Sequence, residues 1–347
     1  MRPSVRILCL PDVDKAIGGV KQLYRHAEHL VDIGWDVAIV TESQGFRPSW
    51  FHSDAPSLSF EECIKSEEFS PEKTILLLPE TYLNVNLFSF RGFDLSTFAR
   101  VVFNQNAYYT YGQGGEDLFR RIKMFYHQSS TLQVLSVSED THNFLSHNLG
   151  ICDSRLSRIV NAIEPIFQSD KTSHNYMHWM PRKNPLEVQS ILLGIQGAGL
   201  FHSQGWTGEA LQGLSHADVA DKLNRARIFL SFGHPEGFGL PIAEAMSSGC
   251  WVVGYSGGGG RELFRFGASE EVTFGDWTAF VQAIQRAFTA FADRPRETEL
   301  RLHRQALAVR SLFGRSQERA TVEIAWQRIE KIFSLWLNNA TSSKVNP

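Results

Sequence analysis

Short apolar runs alternate along most of this chain with stretches of helical periodicity. Residues 5–11, VRILCLP, form a compact apolar run, and 12–19, DVDKAIGG, are polar and end in two glycines. Residues 20–35 then place Val20, Leu23, Ala27, Leu30 and Val31 at helical spacing before Gly34 stops the pattern. DVAIVT at 36–41 reads as a second buried strand. Strand, helix, strand in this order predicts a parallel β-α-β unit, because parallel neighbours need a crossover.

The alternation continues with strands at 74–79 (TILLLP), 100–105 (RVVFNQ) and 132–138 (LQVLSVS), a helix at 139–150 and a strand near 157–163. FQSDKTSHN, 167–175, is polar and aperiodic and marks a linker. A second series follows, with strands expected at 176–181, 200–206, 227–232 and 251–255 and helices at 185–199, 215–226, 241–249 and 260–267. The expected fold class is α/β, with two Rossmann-like doubly wound domains at 1–168 and 169–347. The tail from Arg315 to Asn338 is amphipathic, with Ile324, Ile329, Ile332, Phe333 and Leu337 near one side. That face needs a surface, on its own domain or back on the N-terminal one.

Composition narrows the function. At 347 residues the chain exceeds one ordinary core, and 43% hydrophobic with 20% charged residues describes a globular protein. A net charge of -3 offers no basic footprint for a nucleic-acid partner. No apolar run is long enough to span a bilayer, and the opening apolar patch is too short for a signal peptide, so a cytoplasmic location is expected. Cys9, Cys63, Cys152 and Cys250 are far apart and read as packing residues. His26 and His29 share a helix face, but no carboxylate or cysteine accompanies them in a metal-ligand pattern, so no metal is expected.

One segment does not read as scaffold alone: FGHPEGFGLPIAEAMSSGCWVVG, 232–254. It sets Glu236 and Glu244 with seven residues between them around a Gly-Phe-Gly-Leu-Pro turn, at the carboxyl end of an expected parallel strand, where open α/β sheets bind ligands. Gly237 and Gly239 allow close backbone approach, and Pro241 suits the first turn of a helix. The unpaired N–H groups of that helix start favour an anion such as a diphosphate. A carboxylate on either side can accept hydrogen bonds from hydroxyls of the same ligand.

These residues resemble the E-x7-E segment of retaining glycosyltransferases of the GT-B fold, specifically glycosyltransferase family 4 (glycosyl transferases group 1). The resemblance implies that Glu236 contacts the transferred sugar and Glu244 the nucleotide ribose, making these two the catalytic pair. It also implies that backbone amides near Gly237, Phe238, Gly239 and Leu240 meet sugar and phosphates. Gly259 to Glu262, in GYSGGGGRELF, stand as a variant of the family's Gly-Gly-x-x-Glu and are expected to line the donor cleft. Gly18 and Gly19 match the glycine-rich loop facing that cleft from the other domain. Arg182 and Lys183 stand where relatives carry an arginine and a lysine several residues apart to clamp the diphosphate. Here they are adjacent, and neighbours in extended backbone point opposite ways, so one cation is expected to reach the diphosphate. Lys183 is favoured because Asn184-Pro185 starts the next helix and holds it near the cleft.

The chain departs from many relatives by lacking a histidine in the first domain near RVVFNQNAYYTYG. Asn104, Gln105 and Asn106 stand there, with Tyr108, Tyr109 and Tyr111 following. These either meet a sugar acceptor or form a polar strand end with buried tyrosines. Glu80, Asn104, Asn106 and Tyr109 are the expected acceptor-side residues, as they follow first-domain strands. Residues 120–126, RRIKMFY, read as a half-buried helix or as peripheral contact with a membrane that presents a lipid-linked acceptor, at its inner face.

The reading reached is a metal-independent, retaining transfer of a hexosyl group from a nucleotide-diphosphate sugar to a saccharide or lipid-linked saccharide hydroxyl, as in polysaccharide or glycolipid synthesis. No cofactor is expected beyond the donor substrate. The alternative is a non-catalytic sugar-nucleotide or glycan-binding protein on the same fold. A hydrolase carboxylate pair fits less well, since hydrolysis needs no diphosphate site between the acids.

Overall fold

A computed structural model describes residues 2–345 apart from 113, 115–116, 169–172 and 201–204. The chain divides into two units, 1–160 with 318–347, and 161–317. The change of unit comes ahead of the boundary expected at 168. Residues 161–167 are already attached to the second unit: the Ile163 N–H donates to the Phe313 carbonyl (2.8 Å) and the Phe167 carbonyl accepts from the Ser247 hydroxyl (2.6 Å). The middle of the expected linker, 169–172, lies outside the described residues.

The first unit contains β1 (Ser4–Leu8), α1 (Gly18–Asp32), β2 (Val37–Thr41), β3 (Ser57–Ser59), α2 (Phe60–Lys65), β4 (Thr74–Pro79) and β5 (Ala99–Asn104). It continues through α3 (Tyr108–Gly112), α4 (Leu118–Tyr126), β6 (Thr131–Ser136), α5 (Glu139–His147) and β7 (Leu156–Arg158). Seven parallel strands lie in the order β3-β2-β1-β4-β5-β6-β7. The order reverses between β1 and β4, where an open sheet leaves a crevice beyond its carboxyl ends. Strands β1, β4, β5 and β6 are buried throughout. This is why they read as continuous apolar runs rather than alternations.

The second unit has β8 (His174–Trp179), α6 (Pro185–Gly197), β9 (Thr207–Ala210), α7 (His216–Arg225), β10 (Ala226–Ser231), α8 (Leu240–Ser247), β11 (Trp251–Gly254) and β12 (Glu270–Glu271). The strands are parallel in the order β12-β11-β10-β8-β9, reversing between β8 and β10. The strand expected at 200–206 falls largely on 201–204, outside the described residues, and β9 begins just after it. The helix expected at 260–267 is a 3-10 segment, Arg261–Phe266. Two helices beyond the strand–helix alternation complete the unit, α9 (Trp277–Asp293) and α10 (Pro295–Leu312). Phe280, Ala283, Ile284, Ala287, Phe288 and Phe291 of α9 recur at helical spacing and are buried, and Phe280 stacks on Phe232 at 5.1 Å. That periodicity is the signal from which α9 is readable.

The last helix, α11 (Arg315–Val345), belongs to the first unit from Glu318 onward. Its buried row is Val322, Ala325, Trp326, Ile329 and Phe333, while Ile324 is exposed. Ile324 therefore does not share the buried side with Ile329 and Phe333, since it falls between the i, i+3/i+4, i+7 positions of that row. Trp326 is fully buried and its indole N–H donates to His26 Nε2 (2.7 Å). Burial pushes the His26 imidazole down to about 3, so the ring stays neutral and accepts. His29 Nε2 meets Glu318 Oε2 at 2.7 Å beside it. Truncating a buried tryptophan of this kind costs about 3–5 kcal/mol, so this contact is a main attachment of the helix. On α1, Val31 is exposed, and the buried side includes His26 and His29. Of the cysteines, Cys63 and Cys250 are buried, but Cys152 is exposed and Cys9 is only partly covered.

Candidate functional site

The strands that flank the reversal of the second sheet, β8 and β10, carry the two loops that meet. After β10 the chain turns through His234-Pro235, a cis peptide, into Glu236. After β8 it passes Arg182 and Lys183 to Asn184, which adopts the left-handed conformation at φ 53 and precedes α6. The Asn184 side-chain amide donates to the carbonyls of Phe232 (2.7 Å) and His234 (3.1 Å), stapling the two loops together. Asparagine tolerates that conformation better than other side chains, which explains its place before Pro185. Lys183 then lies with Nζ 2.8 Å from Glu236 Oε1 and donates to the Pro235 carbonyl at 3.0 Å. Arg182, its neighbour, is exposed. The structure thus joins Glu236 to Lys183 and not to Arg182.

The glycine run after β11 is packed, not loose. Glu236 N–H donates to the Gly257 carbonyl (2.8 Å), and Gly259 N–H donates to the Glu236 carbonyl (3.1 Å). A side chain at Gly257 would place its Cβ 2.6 Å from Glu236 Cβ, and one at Gly259 would lie 2.0 Å from the Gly237 carbonyl oxygen. On the other side, a Cβ at Gly233 would come 2.6 Å from Glu236 Oε1. Glycines therefore surround Glu236 because backbone and carboxylate occupy the volume a side chain would need. Gly237, Phe238 and Gly239 are buried, and Phe238 packs on Phe313 with ring centres 5.1 Å apart. Gly239, at φ +84, precedes α8, and Leu240 opens it; Pro241 carries no N–H and Ile242 N–H donates to the Gly239 carbonyl (2.9 Å), so the first-turn amide presented at this helix start is that of Leu240. Glu262 is buried at the start of the 3-10 segment.

Glu244, inside α8, is buried. Its Oε1 lies 3.5 Å from His216 Nε2, while His216 Nδ1 lies 3.7 Å from Glu164 Oε2. His216, Glu164 and Asn184 were not among the expected site residues. His216 carries no local motif beyond following the capping Ser215, and only the packing of α7 beside α8 reveals it. Nearby, Glu187 Oε2 accepts from the Tyr255 hydroxyl (2.6 Å) and from the Trp277 indole, tying α6 to the ends of β11 and α9.

In the first unit the expected residues also lie at the sheet reversal, but mostly beneath the surface. Gly18 opens α1, and the Gly19 carbonyl accepts from Gln105 Nε2 (3.1 Å). Glu80, directly after β4, is buried and accepts from the N–H groups of Gln105 (3.0 Å) and Asn106 (3.0 Å). It anchors that loop. Asn104 is fully buried and donates to the Tyr126 hydroxyl (2.9 Å). Asn106 is buried and its side-chain Oδ1 accepts from Tyr108 N–H (3.2 Å). The segment after Asn104 is a helical turn, α3, rather than a strand end: Tyr108 donates to Asp140 (2.8 Å), Tyr111 packs on Phe144, and Tyr109 is 44% exposed. On α4, Ile122, Phe125 and Tyr126 are buried while Phe119 is 71% exposed, with Lys123 over its ring.

Burial pushes the Glu80 carboxyl up to about 7, against the opposing effect of the backbone N–H groups of Gln105, Glu80 itself and Asn106. Its folded-state value lies above the unfolded one. The stabilisation is therefore present at pH 4.5 and lost as pH rises through about 7, by on the order of 3 kcal/mol. Glu80→Gln should flatten this part of the profile. Thermal-unfolding midpoints of both proteins between pH 4.5 and 8 check it, and parallel profiles would refute it.

Residues 207–300 match the family model described as Glycosyl transferases group 1. Solved structures of similar fold include Anabaena HepE in complex with UDP-glucose, with a TM-score of 0.70 at 14% identity, covering 93% of this chain and 99% of that one. Sucrose-phosphate synthase from Thermosynechococcus elongatus gives 0.66 at 14% identity, covering 96% and 100%. The fold is GT-B. Both units of this GT-B chain are covered by these neighbours. A curated relative, an alpha-1,6-glucosyltransferase of Actinobacillus pleuropneumoniae, is 35% identical over 107 residues, which is 29% of this chain. The match spans 32% of that protein, about a third of its length. No helix among the described residues is long and apolar enough to cross a membrane.

Proposed function

We propose that this protein is a retaining glycosyltransferase of family 4 type, moving a sugar from a nucleotide-diphosphate donor to a hydroxyl acceptor. The observation that carries the reading is the convergence at the β8/β10 reversal of a lysine, a glutamate and the start of α8. The lysine and the helix start supply positive potential for a diphosphate, and the glutamate accepts hydrogen bonds from sugar hydroxyls. Anabaena HepE, similar in fold, is described in complex with UDP and with UDP-glucose, which supports a nucleotide-sugar donor here. Glu244, further along α8, is assigned to the ribose.

In the step proposed, the acceptor oxygen bonds to the anomeric carbon on the face from which the diphosphate departs. The bond from that carbon to the diphosphate oxygen breaks, and the acceptor proton passes to the departing oxygen. Lys183 and the start of α8 stabilise the charge that develops on the leaving group, which is the main electrostatic demand of the reaction. No divalent metal is required in this scheme, because those groups take its place.

The test is a thermal-shift panel of uridine, guanosine and adenosine diphosphate sugars, followed by donor turnover before and after chelation. A ligand at about 100 times its dissociation constant stabilises by about 2.7 kcal/mol. A shift with one base and turnover that survives chelation is the expected result. No shift with any donor would overturn the reading, a shift without turnover would favour the sugar-nucleotide-binding alternative, and turnover restored only by magnesium or manganese would overturn the metal-free scheme.

A further inference from the structure

We infer that His216, braced by Glu164, is a positioning residue that fixes Glu244 for the vicinal hydroxyls of the donor ribose; the inference rests on the donor reading above. Each ring nitrogen of His216 faces a carboxylate from a different segment, Glu164 before β8 and Glu244 in α8, at 3.7 and 3.5 Å. The ring's own place is held from two sides. Ser215 caps α7 by accepting from Asp218 N–H (3.1 Å), which sets the first residue of the helix, and Phe167 lies edge-on to the imidazole at 5.0 Å. The Glu244 side chain is only 10% exposed, so solvent does little to orient or compensate its charge.

Two carboxylates facing one ring from opposite sides repel each other unless N–H groups lie between them. The His216 ring fills the space between the two carboxylates and turns Nε2 toward one oxygen of Glu244. Removing the ring takes away the side chain that stands between Glu244 and Glu164 and leaves Glu244 free to rotate away from a ligand. The effect is therefore specific to whatever ligand hydroxyls Glu244 accepts from, and does not extend to the diphosphate, which lies with Lys183 and the α8 start.

Calorimetric titration of the full chain with UDP and 2′,3′-dideoxy-UDP, or the same pair on the base selected by the panel, separates these effects. In the wild type the ribose form should bind about tenfold or more tightly than the dideoxy form, the value of one charge-assisted hydrogen bond. His216→Ala should reduce that ratio to about threefold or less while leaving dideoxy affinity in place. Glu164→Gln, at the far end of the bridge, should lower the ratio in the same direction, and it serves if the alanine variant does not fold. His216→Gln, which keeps one donor, should restore part of it. Equal loss of both affinities in the His216 and Glu164 variants would mean a merely structural role and overturn the inference. A wild-type ratio retained in Glu244→Gln would instead show that the ribose assignment itself is wrong.

Discussion

Glu236→Gln is expected to lower sugar transfer by about a hundred- to a thousandfold while leaving affinity for the plain nucleoside diphosphate unchanged or tightened. Lys183 Nζ lies 2.8 Å from Glu236 Oε1, so the carboxylate and an incoming diphosphate compete for the same cation. Glutamine keeps the volume under Gly233 and Gly257 but gives up the charge, which releases Lys183 for phosphate. Transfer suffers because the sugar loses its charged acceptor, and the nucleotide alone does not reach that subsite. Lys183→Met should behave in the opposite way, weakening the diphosphate first. Initial rates with titration of the diphosphate check both variants. A loss of diphosphate affinity in Glu236→Gln equal to that in Glu244→Gln would sink the division of roles.

Gly259→Ala should destabilise the second unit by more than about 2 kcal/mol and remove nucleotide binding with it. The added Cβ would lie 2.0 Å from the Gly237 carbonyl oxygen, 2.2 Å from its carbon and 2.7 Å from the Glu236 oxygen. All three are backbone atoms, so no side-chain rotation relieves the overlap, and the turn that presents Glu236 must move. Gly197→Ala is the control. It ends α6 with nothing within 4 Å of the new Cβ, and alanine is the better helix former, so its midpoint should hold or rise slightly. Thermal unfolding with diphosphate titration measures both, and a Gly259→Ala protein within about 0.5 kcal/mol of the wild type would refute the packing account.

Both predictions depend on residues whose importance was unequally visible in the sequence. The turn at 236–241 is legible because its chemistry is local: glycine, proline and glutamate specify a strand-to-helix turn within a few residues. Gly259 to Glu262 read, from the resemblance, as lining of the donor cleft, and the sequence does not reveal that the backbone of 236–237 lies against the glycine run at 257–260. Asn104 and Asn106 read as ligand-facing amides, yet Asn104 is the last residue of β5 and points into the core, and Asn106 caps the turn at Tyr108. Position in the strand for Asn104 and in the following turn for Asn106, not residue type, decided which way each points.

The sequence by itself determined the α/β class, the strands β1, β2, β4, β5, β6, β8, β10 and β11 with the helices α1, α5, α6, α7 and α8, and the placement of Glu236 and Glu244 around a helix start, whereas β3, α2 and β9 were not read from it. These follow from periodicity and turn chemistry, which act over a few residues. Only the tertiary structure decided that Lys183 meets Glu236, that Glu164 and Glu244 face His216 from two sides, and that α11 returns to the first unit. Each of those contacts joins segments far apart in sequence. Their meeting is set by strand order in a parallel sheet and by which helix face finds a buried partner, and neither is encoded in any short stretch of chain.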